Sequence, residues 1–571
     1  MTVPHVFANL TSPIPLLYLD DNFNAMMLSQ PMPSVQDYGA DPVGGTDATV
    51  AFATSVPVMS VPAGTYAINT NTAVSATLYF TGGSVTVASG KTLTLNGGAI
   101  APNKVIFKGA GTVIVSCGEI NVAWYDGTDA ASKWAACARQ MTNSNLINRT
   151  VVFPSPASTD AWAVVSSSGL WGYGWRVDTP ILVTQPMGGT KFRTPTPFIA
   201  TTALNAIWDI GSGTSKADNF HFLDHLVIDG NSNLATHCVL LEGASSFSFN
   251  IIEMHNCTNG LTIKPAGSKQ VSSFHIKQVI VAENNGYGVL IEGTGAAART
   301  VTDGVIEVIN SYGLRVAGAN NCVQIVGTVQ NMKIHQVTNR AVPTNVDYAV
   351  AAVYITNDDT YAPAFGVEIG YVTSDSSVPL SKAFVIADSS SGAGPKIEGV
   401  SLYGAVSPIT DAVDVNWCTN TNISSVDNAS SINVRSNALN TYINGCKRSI
   451  VTDAGSGTLV NGLIRRIITA LADDAATSIP IPAGQNSAYL VNATDSVATP
   501  ANTVQFWGIS YVSAAVAAIY TGSGSTIVTG VLSGTTGTNG KLNFSAGSAA
   551  LYVENRTGAP ITLEVTIDLG D

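Results

Sequence analysis

The 571 residues exceed the usual size of one domain several-fold, which excludes a single compact core and favours an elongated or multi-part molecule. Charged residues make up only 11% of the chain, and the Gly, Ser, Thr, Asn, Val and Ile that dominate it suit short strands joined by tight turns, so the fold class is all-β. A net charge of -12 and a pI near 5.0, with no basic cluster, exclude nucleic acid and an anionic membrane surface as partners.

Residues 1–34 are Pro-rich and aperiodic, too short for a core, and read as a short N-terminal attachment segment. The first basic side chain is Lys91, so no secretory n-region is expected, and no apolar run is long enough to span a bilayer. Seven cysteines lie scattered with no Cys-x-x-Cys pair and no His at ligand spacing. Free structural thiols, folding in a reducing cytosol and no metal or other cofactor are expected.

Val35-Gln-Asp-Tyr-Gly-Ala-Asp41, Gly45-Thr-Asp-Ala-Thr-Val-Ala-Phe-Ala53 and Val61-Pro-Ala-Gly-Thr-Tyr66 predict a strand, a short helix capped by Thr46 or Asp47, and a strand closed by a Pro/Gly turn. The order resembles the opening of the pectate-lyase-like parallel β-helix superfamily, in which that helix caps the open end of the coil stack. It departs from that pattern where Pro42-Val-Gly-Gly45 and a lone Asp47 replace the usual Gly-Asp-Gly and paired Asp. A looser copy runs from Val122 to Cys137, with Thr150-Val-Val-Phe-Pro154 as its strand. The Leu19-Asp-Asp-Asn-Phe-Asn24 stretch is similar to the start of bacteriophage tail-fibre proteins. Together the resemblances imply a phage tailspike built on a right-handed parallel β-helix. Residues 35–120 then form a head region and 121–465 the main helix.

An internal period supports that architecture. Phe220, Phe247, Phe274 and Val301 recur at a step of 27, as do Val227, Met254, Val281 and Val308, and His225, Ile252, Val279 and Ile306. Side chains alternate across a strand, so the last two series are expected to point inward, with His225 a hydrogen-bonded core histidine. A second strand per coil is read at 239–242, 261–264, 289–292 and 314–317. Residues 466–571 change to long alternating segments such as Ile561-Thr-Leu-Glu-Val-Thr-Ile-Asp568, which predict a C-terminal antiparallel β-sandwich. The resemblance implies that this part trimerises the chain or binds carbohydrate.

No Gly-x-Ser-x-Gly, His-Glu-x-x-His or phosphate-loop motif occurs, so any chemistry rests on exposed acids. Equivalent residues two coils apart stand about 9.6 Å from each other, near the ~6.5–9.5 Å carboxylate spacing of inverting glycosidases. At a step of 27, Glu253 and Glu307 share an outward column with Leu226 and Ile280, and His255 shares their face. Glu242 and Glu292 form a second pair, but Lys264 between them favours an ion-pair ladder. Asp229, Asn256, Glu283 and Asn310 read as a polar turn ladder. Tyr287 and Tyr312 precede equivalent glycines and should stand near one edge. Trp171 and Trp175 form either a saccharide platform or a hydrophobic plug.

The sequence therefore predicts a tailspike that depolymerises a bacterial surface polysaccharide. Glu253 and Glu307, or Glu242 and Glu292, serve as acid and base, and His255, Tyr287, Tyr312, Arg315, Trp171 and Trp175 bind substrate. The alternatives are a lyase, with His255, Lys264, Arg315 or a Tyr as base, and a receptor-binding fibre without catalysis. A homotrimer is expected, packed through outward Leu226, Leu240, Ile280 and Leu290. It would be made in the host cytoplasm and carried on the virion tail through its N-terminus.

Overall fold

A computed structural model describes residues 32–568, apart from 117, 143–147, 166–170, 212–215, 284–285, 294–299, 313–321, 341–350, 357–365, 376–381, 388–395, 404–412, 417–420, 425–431, 437, 445–450, 454, 456–457, 461–462, 481–487, 496–503, 510–515 and 547–549. The chain divides into two compact units. One holds residues 1–181, 185–199 and 219–224, and the other residues 182–184, 200–218 and 225–571.

In the first unit, three parallel sheets of three strands each wind as small coils. Gly64–Ile68 pairs with Gly83–Val87, Val58–Val61 with Thr77–Phe80, and Thr72–Val74 with Thr92–Leu95. The head region is thus itself coiled, at 19 to 21 residues per turn, a period too short for the 27-residue search to find. The capping helix is only Thr49–Phe52 and has no side-chain cap at Ala48. Asp47 instead accepts from Thr49 N and Asn69 N, tying the helix to a strand. The second copy forms the helix Ala130–Ala138, begun by a capping box of Asp129 and Ser132.

The second unit is a parallel β-helix, as expected. In its longer sheet Ala244–His255, Val271–Ala282, Val301–Tyr312, Lys333–Arg340 and Glu368–Asp375 pair in parallel, one strand per coil. Ser246, Ser273, Asp303, Asn331 and Gly366 all hold φ between 51° and 64°, so the same left-handed turn opens each of these coils. Phe249, Ile276, Ile306, Ile334 and Ile369 form one buried row, and Ile252, Val279, Ile309, Val337 and Val372 a second. Parity changes between Phe249 and Ile252, where the strand turns a corner and two successive residues leave the core.

Coil length is not constant, and this corrects the fixed step of 27. Ala244 pairs with Val271, but Val271 pairs with Val301, Val305 with Lys333 and Lys333 with Glu368, giving steps of 27, 30, 28 and 35. The extra residues fall between the paired strands, so the columns drift against the sequence period. In the second sheet, 239–242, 261–264 and 289–292 align as expected. The next strand is Val323–Gly327, not 314–317, which lies outside the described residues.

Cys238 and Cys257 form a disulfide, overturning the expectation that all thiols are free. Cys137 and Cys322 are buried free thiols. Leu226, Leu240 and Leu290 are buried and supply no apolar surface for subunit packing.

After residue 462 the pairing is mainly antiparallel, with Ser525–Ile527 running parallel to Leu542–Ala546. Leu463–Leu471 and Ala488–Asp495 both flank Ile561–Asp568, while Ala475–Pro480 pairs with Ala550–Asn555. Ile468, Ile479, Phe544, Leu551, Val553, Leu563, Val565 and Ile567 close one core between these sheets. Among the described residues, no helix is long and apolar enough to cross a membrane.

Candidate functional site

Glu253 stands on the outer side of the strand Ala244–His255, between the buried Ile252 and Met254. Both its oxygens are engaged: His255 Nε2 lies 2.7 Å from Oε1 and His225 Nε2 2.7 Å from Oε2. The hydrogen bond from His255 is the largest cause holding the Glu253 carboxyl below its ordinary range, against burial, which pushes it up. The carboxylate is 17% exposed and His255 11%, whereas His225 is 42% exposed and presents its ring to solvent.

The turn behind these side chains is fixed from below. Asp229, fully buried, accepts from Asn256 Nδ2 at 3.0 Å and from Asn231 N at 2.8 Å. Gly230 N donates to His255 O at 2.8 Å, and a Cβ on Gly230 would come within 2.3 Å of Asn256 O, so only glycine allows this approach. The Cys238–Cys257 bond then anchors the residue two beyond His255.

The corner and the unequal coils redistribute the predicted site. His225 is not a core residue, because the buried parity of Phe220–Asp229 falls on Phe220, Phe222, Leu226 and Ile228. Glu253 pairs with Ile280, as expected, but Ile280 pairs with Asn310. Glu307 falls three residues earlier, opposite Lys277 and beyond the corner, with His275 Nε2 2.8 Å from its Oε1. Three residues and two rungs separate Glu253 from Glu307, roughly 14 Å along the backbone. That spacing overturns their shared column and exceeds the inverting-pair range. The same drift removes Asn310 from the turn ladder, which retains Asp229 and Asn256.

Lys264 Nζ lies 2.9 Å from Glu292, so the column of Glu242, Lys264 and Glu292 contains the ion pair that its spacing suggests. Tyr287 is half-buried before the strand Val289–Gly293, whereas Tyr312 ends the strand Val301–Tyr312 opposite Ala282. Tyr287 thus leads into one sheet, and Tyr312 ends a strand of the other. Trp175 is fully buried, stacked on Trp162 at 4.1 Å and donating to Pro154 O, which makes it a core residue and no platform. Trp171 is half-buried, and Arg315 lies outside the described residues.

What the sequence reading missed on the Glu253 face is its polar lining. Ile251, Gln278, Val308, Gln336 and Tyr371 form one outward row, and Ile280, Asn310, Thr338 and Thr373 continue the row of Glu253. Only strand pairing reveals these rows, since their sequence steps differ. Among the described residues, no group of three or more His, Cys, Asp or Glu is placed to hold a metal ion.

No protein-family model and no curated protein matches the chain. Among solved structures it is similar to the tailspike protein of E. coli bacteriophage HK620 in complex with a pentasaccharide, at 12% identity and a TM-score of 0.39, over 96% of this chain and 95% of that one. It is also similar to the tailspike of Acinetobacter phage vB_ApiP_P1, at 12% identity and a TM-score of 0.27, over 95% and 88% of the two chains. A third likeness is to tailspike gp49 of Acinetobacter baumannii bacteriophage Fri1, a capsular polysaccharide depolymerase, at 8% identity and a TM-score of 0.22, over 95% and 86%.

Proposed function

We propose that this chain is a bacteriophage tailspike that binds a bacterial surface polysaccharide on the outer face of its β-helix and cleaves it at Glu253. The observation that carries the reading is the Glu253 carboxylate, largely shielded yet kept ionised between two imidazoles, on a face otherwise lined by amides, hydroxyls and aliphatic side chains. A carboxylate so held can stabilise the positive charge that develops at a glycosidic carbon and orient the two imidazoles, which can carry a proton between water and the leaving oxygen. Hydrolysis by Glu253 with His225 and His255 therefore replaces the Glu253–Glu307 pair.

A second reading is β-elimination. His225 is exposed and braced by a carboxylate, the arrangement that makes an imidazole an effective base, and it could remove the proton beside a uronate carboxyl. Attachment through residues 1–34 and a homotrimer remain part of the proposal, supported by the sequence resemblances. Incubation with capsule and lipopolysaccharide polymers tests the whole. Falling polymer size with new reducing ends and no new ultraviolet absorbance supports hydrolysis, and absorbance from a new double bond supports elimination. Binding with unchanged polymer size would leave a receptor-binding fibre and overturn the enzyme.

A further inference from the structure

We infer that the outward rows from Glu253 to Tyr371 form one saccharide track, with Tyr371 as its distal stacking platform. The inference rests on the proposed function and adds the extent of the ligand and the groups that read it. Tyr371 is 61% exposed, although it lies within a paired strand and is flanked by the buried Val372. Its neighbour on one side is Gln336 and on the other Gly399, which has no side chain of its own to lay over the ring. An aromatic ring left open on a regular sheet suits the flat C–H face of a pyranose.

Between Tyr371 and Glu253 one row alternates polar and apolar side chains, and the other is polar beyond Ile280. Gln278 and Gln336 are separated by Val308, and Asn310 and Thr338 follow Ile280. Gln336 Nε2 donates to Thr338 Oγ1 at 3.2 Å, which joins the two rows and orients that amide across the face. Amides donate and accept at once, as sugar hydroxyl and acetamido groups do, and the intervening aliphatic side chains fit ring carbons. The ligand class is thus a strand of sugars rich in hydroxyl or acetamido groups. Four rung steps part the coil of Glu253 from that of Tyr371, roughly 19 Å, so only a fragment of several sugars reaches both.

The test uses the full-length chain and oligosaccharides of graded length from a panel of capsules and lipopolysaccharides. Tyr371→Ala should weaken binding of long fragments roughly two- to tenfold and leave the shortest fragments unaffected. Tyr371→Phe should bind as the unaltered chain does, and Gln336→Ala should also lose affinity only for long fragments. The exposed position of Tyr371 predicts an unchanged melting temperature for both tyrosine variants. If the unaltered chain binds long fragments and Tyr371→Ala binds them equally well, the track is wrong while the proposed function stands. If the unaltered chain binds no fragment of any length, the proposed function falls and takes the track with it.

Discussion

His225 Nε2 lies 2.7 Å from Glu253 Oε2, on the opposite oxygen from the His255 contact, so one carboxylate braces two imidazoles of different exposure. Glu253→Gln should lower polysaccharide cleavage at least 100-fold, the range of general acid–base assistance, with glycan binding retained. Glu307→Gln should stay within about twofold of the unaltered chain, because Glu307 faces His275 on the far side of the corner. Reducing-end release from the two variants, measured side by side, separates these outcomes. Equal loss in both would restore the paired-acid mechanism.

The same carboxylate predicts the acid side of stability. Its folded pKa is lowered, so its contribution is present above the ordinary carboxyl value and is lost as pH falls through the folded value. Melting temperature scanned from neutral to acid pH should therefore fall less steeply in Glu253→Gln than in the unaltered chain. Parallel curves would show that the two histidine contacts do not act in solution.

How much of this was legible in the sequence depended on coil length. Phe247 and Phe274 do stack, at 5.1 Å, because no residue is inserted between their coils. The three residues added before Val301 move Glu307 out of the column of Glu253 and bring Asn310 into it. Nothing in a single sequence marks which turn residues are extra. Tyr371 was hidden for the same reason, since its coil is 35 residues beyond the preceding one. His225 was misplaced because the corner of its own coil holds three residues between the buried Phe222 and Leu226, whereas the next coil holds two between Phe249 and Ile252.

Lys133 gives the first unit a pH signature. Its ammonium is buried, donates to Tyr125 O at 2.7 Å and lies 5.6 Å from the Trp162 ring centroid, and burial pulls its pKa down to about 8. Between about pH 8 and its ordinary value the unfolded chain binds more protons, so stability of this unit should rise with pH. Above about pH 9 Cys137 opposes the trend, because burial holds its thiol protonated in the fold while the unfolded thiol ionises. The window for a gain of about 1 kcal/mol is thus pH 8 to 9. Denaturant midpoints across it should climb, and Lys133→Met should flatten them.

Glu554 should matter to the C-terminal strands as much as an apolar core residue. It is fully buried, and its carboxylate accepts from Gly534 N, Thr536 N and Gly537 N at 2.7 to 3.0 Å. Burial raises its pKa, but these donors outweigh that and leave it lowered, so the stabilisation persists above the ordinary carboxyl value and fades on acidification. Glu554→Ala leaves three amides without their acceptor and should cost ~2–4 kcal/mol. A calorimetric transition unchanged by the substitution would exclude this role.

The Cys238–Cys257 bond offers the test of how the site is held. The two cysteines are 19 residues apart, and the loop they close contains both Glu253 and His255. A closed loop of that length should stabilise the fold by about 3 kcal/mol through restriction of the unfolded chain. Cys257 also follows Asn256, whose side chain bonds to the buried Asp229, so cutting the bond frees one end of the turn that carries His255. Cys257→Ser should lower the melting temperature, and cleavage should fall further than the stability loss alone explains, with the pH–rate profile displaced because the Glu253–His255 contact loosens. A reducing agent added to the unaltered chain should reproduce both effects, while the serine variant should not respond to it. Should reduction lower the melting temperature and leave the pH–rate profile unmoved, the disulfide stabilises the fold without positioning the site.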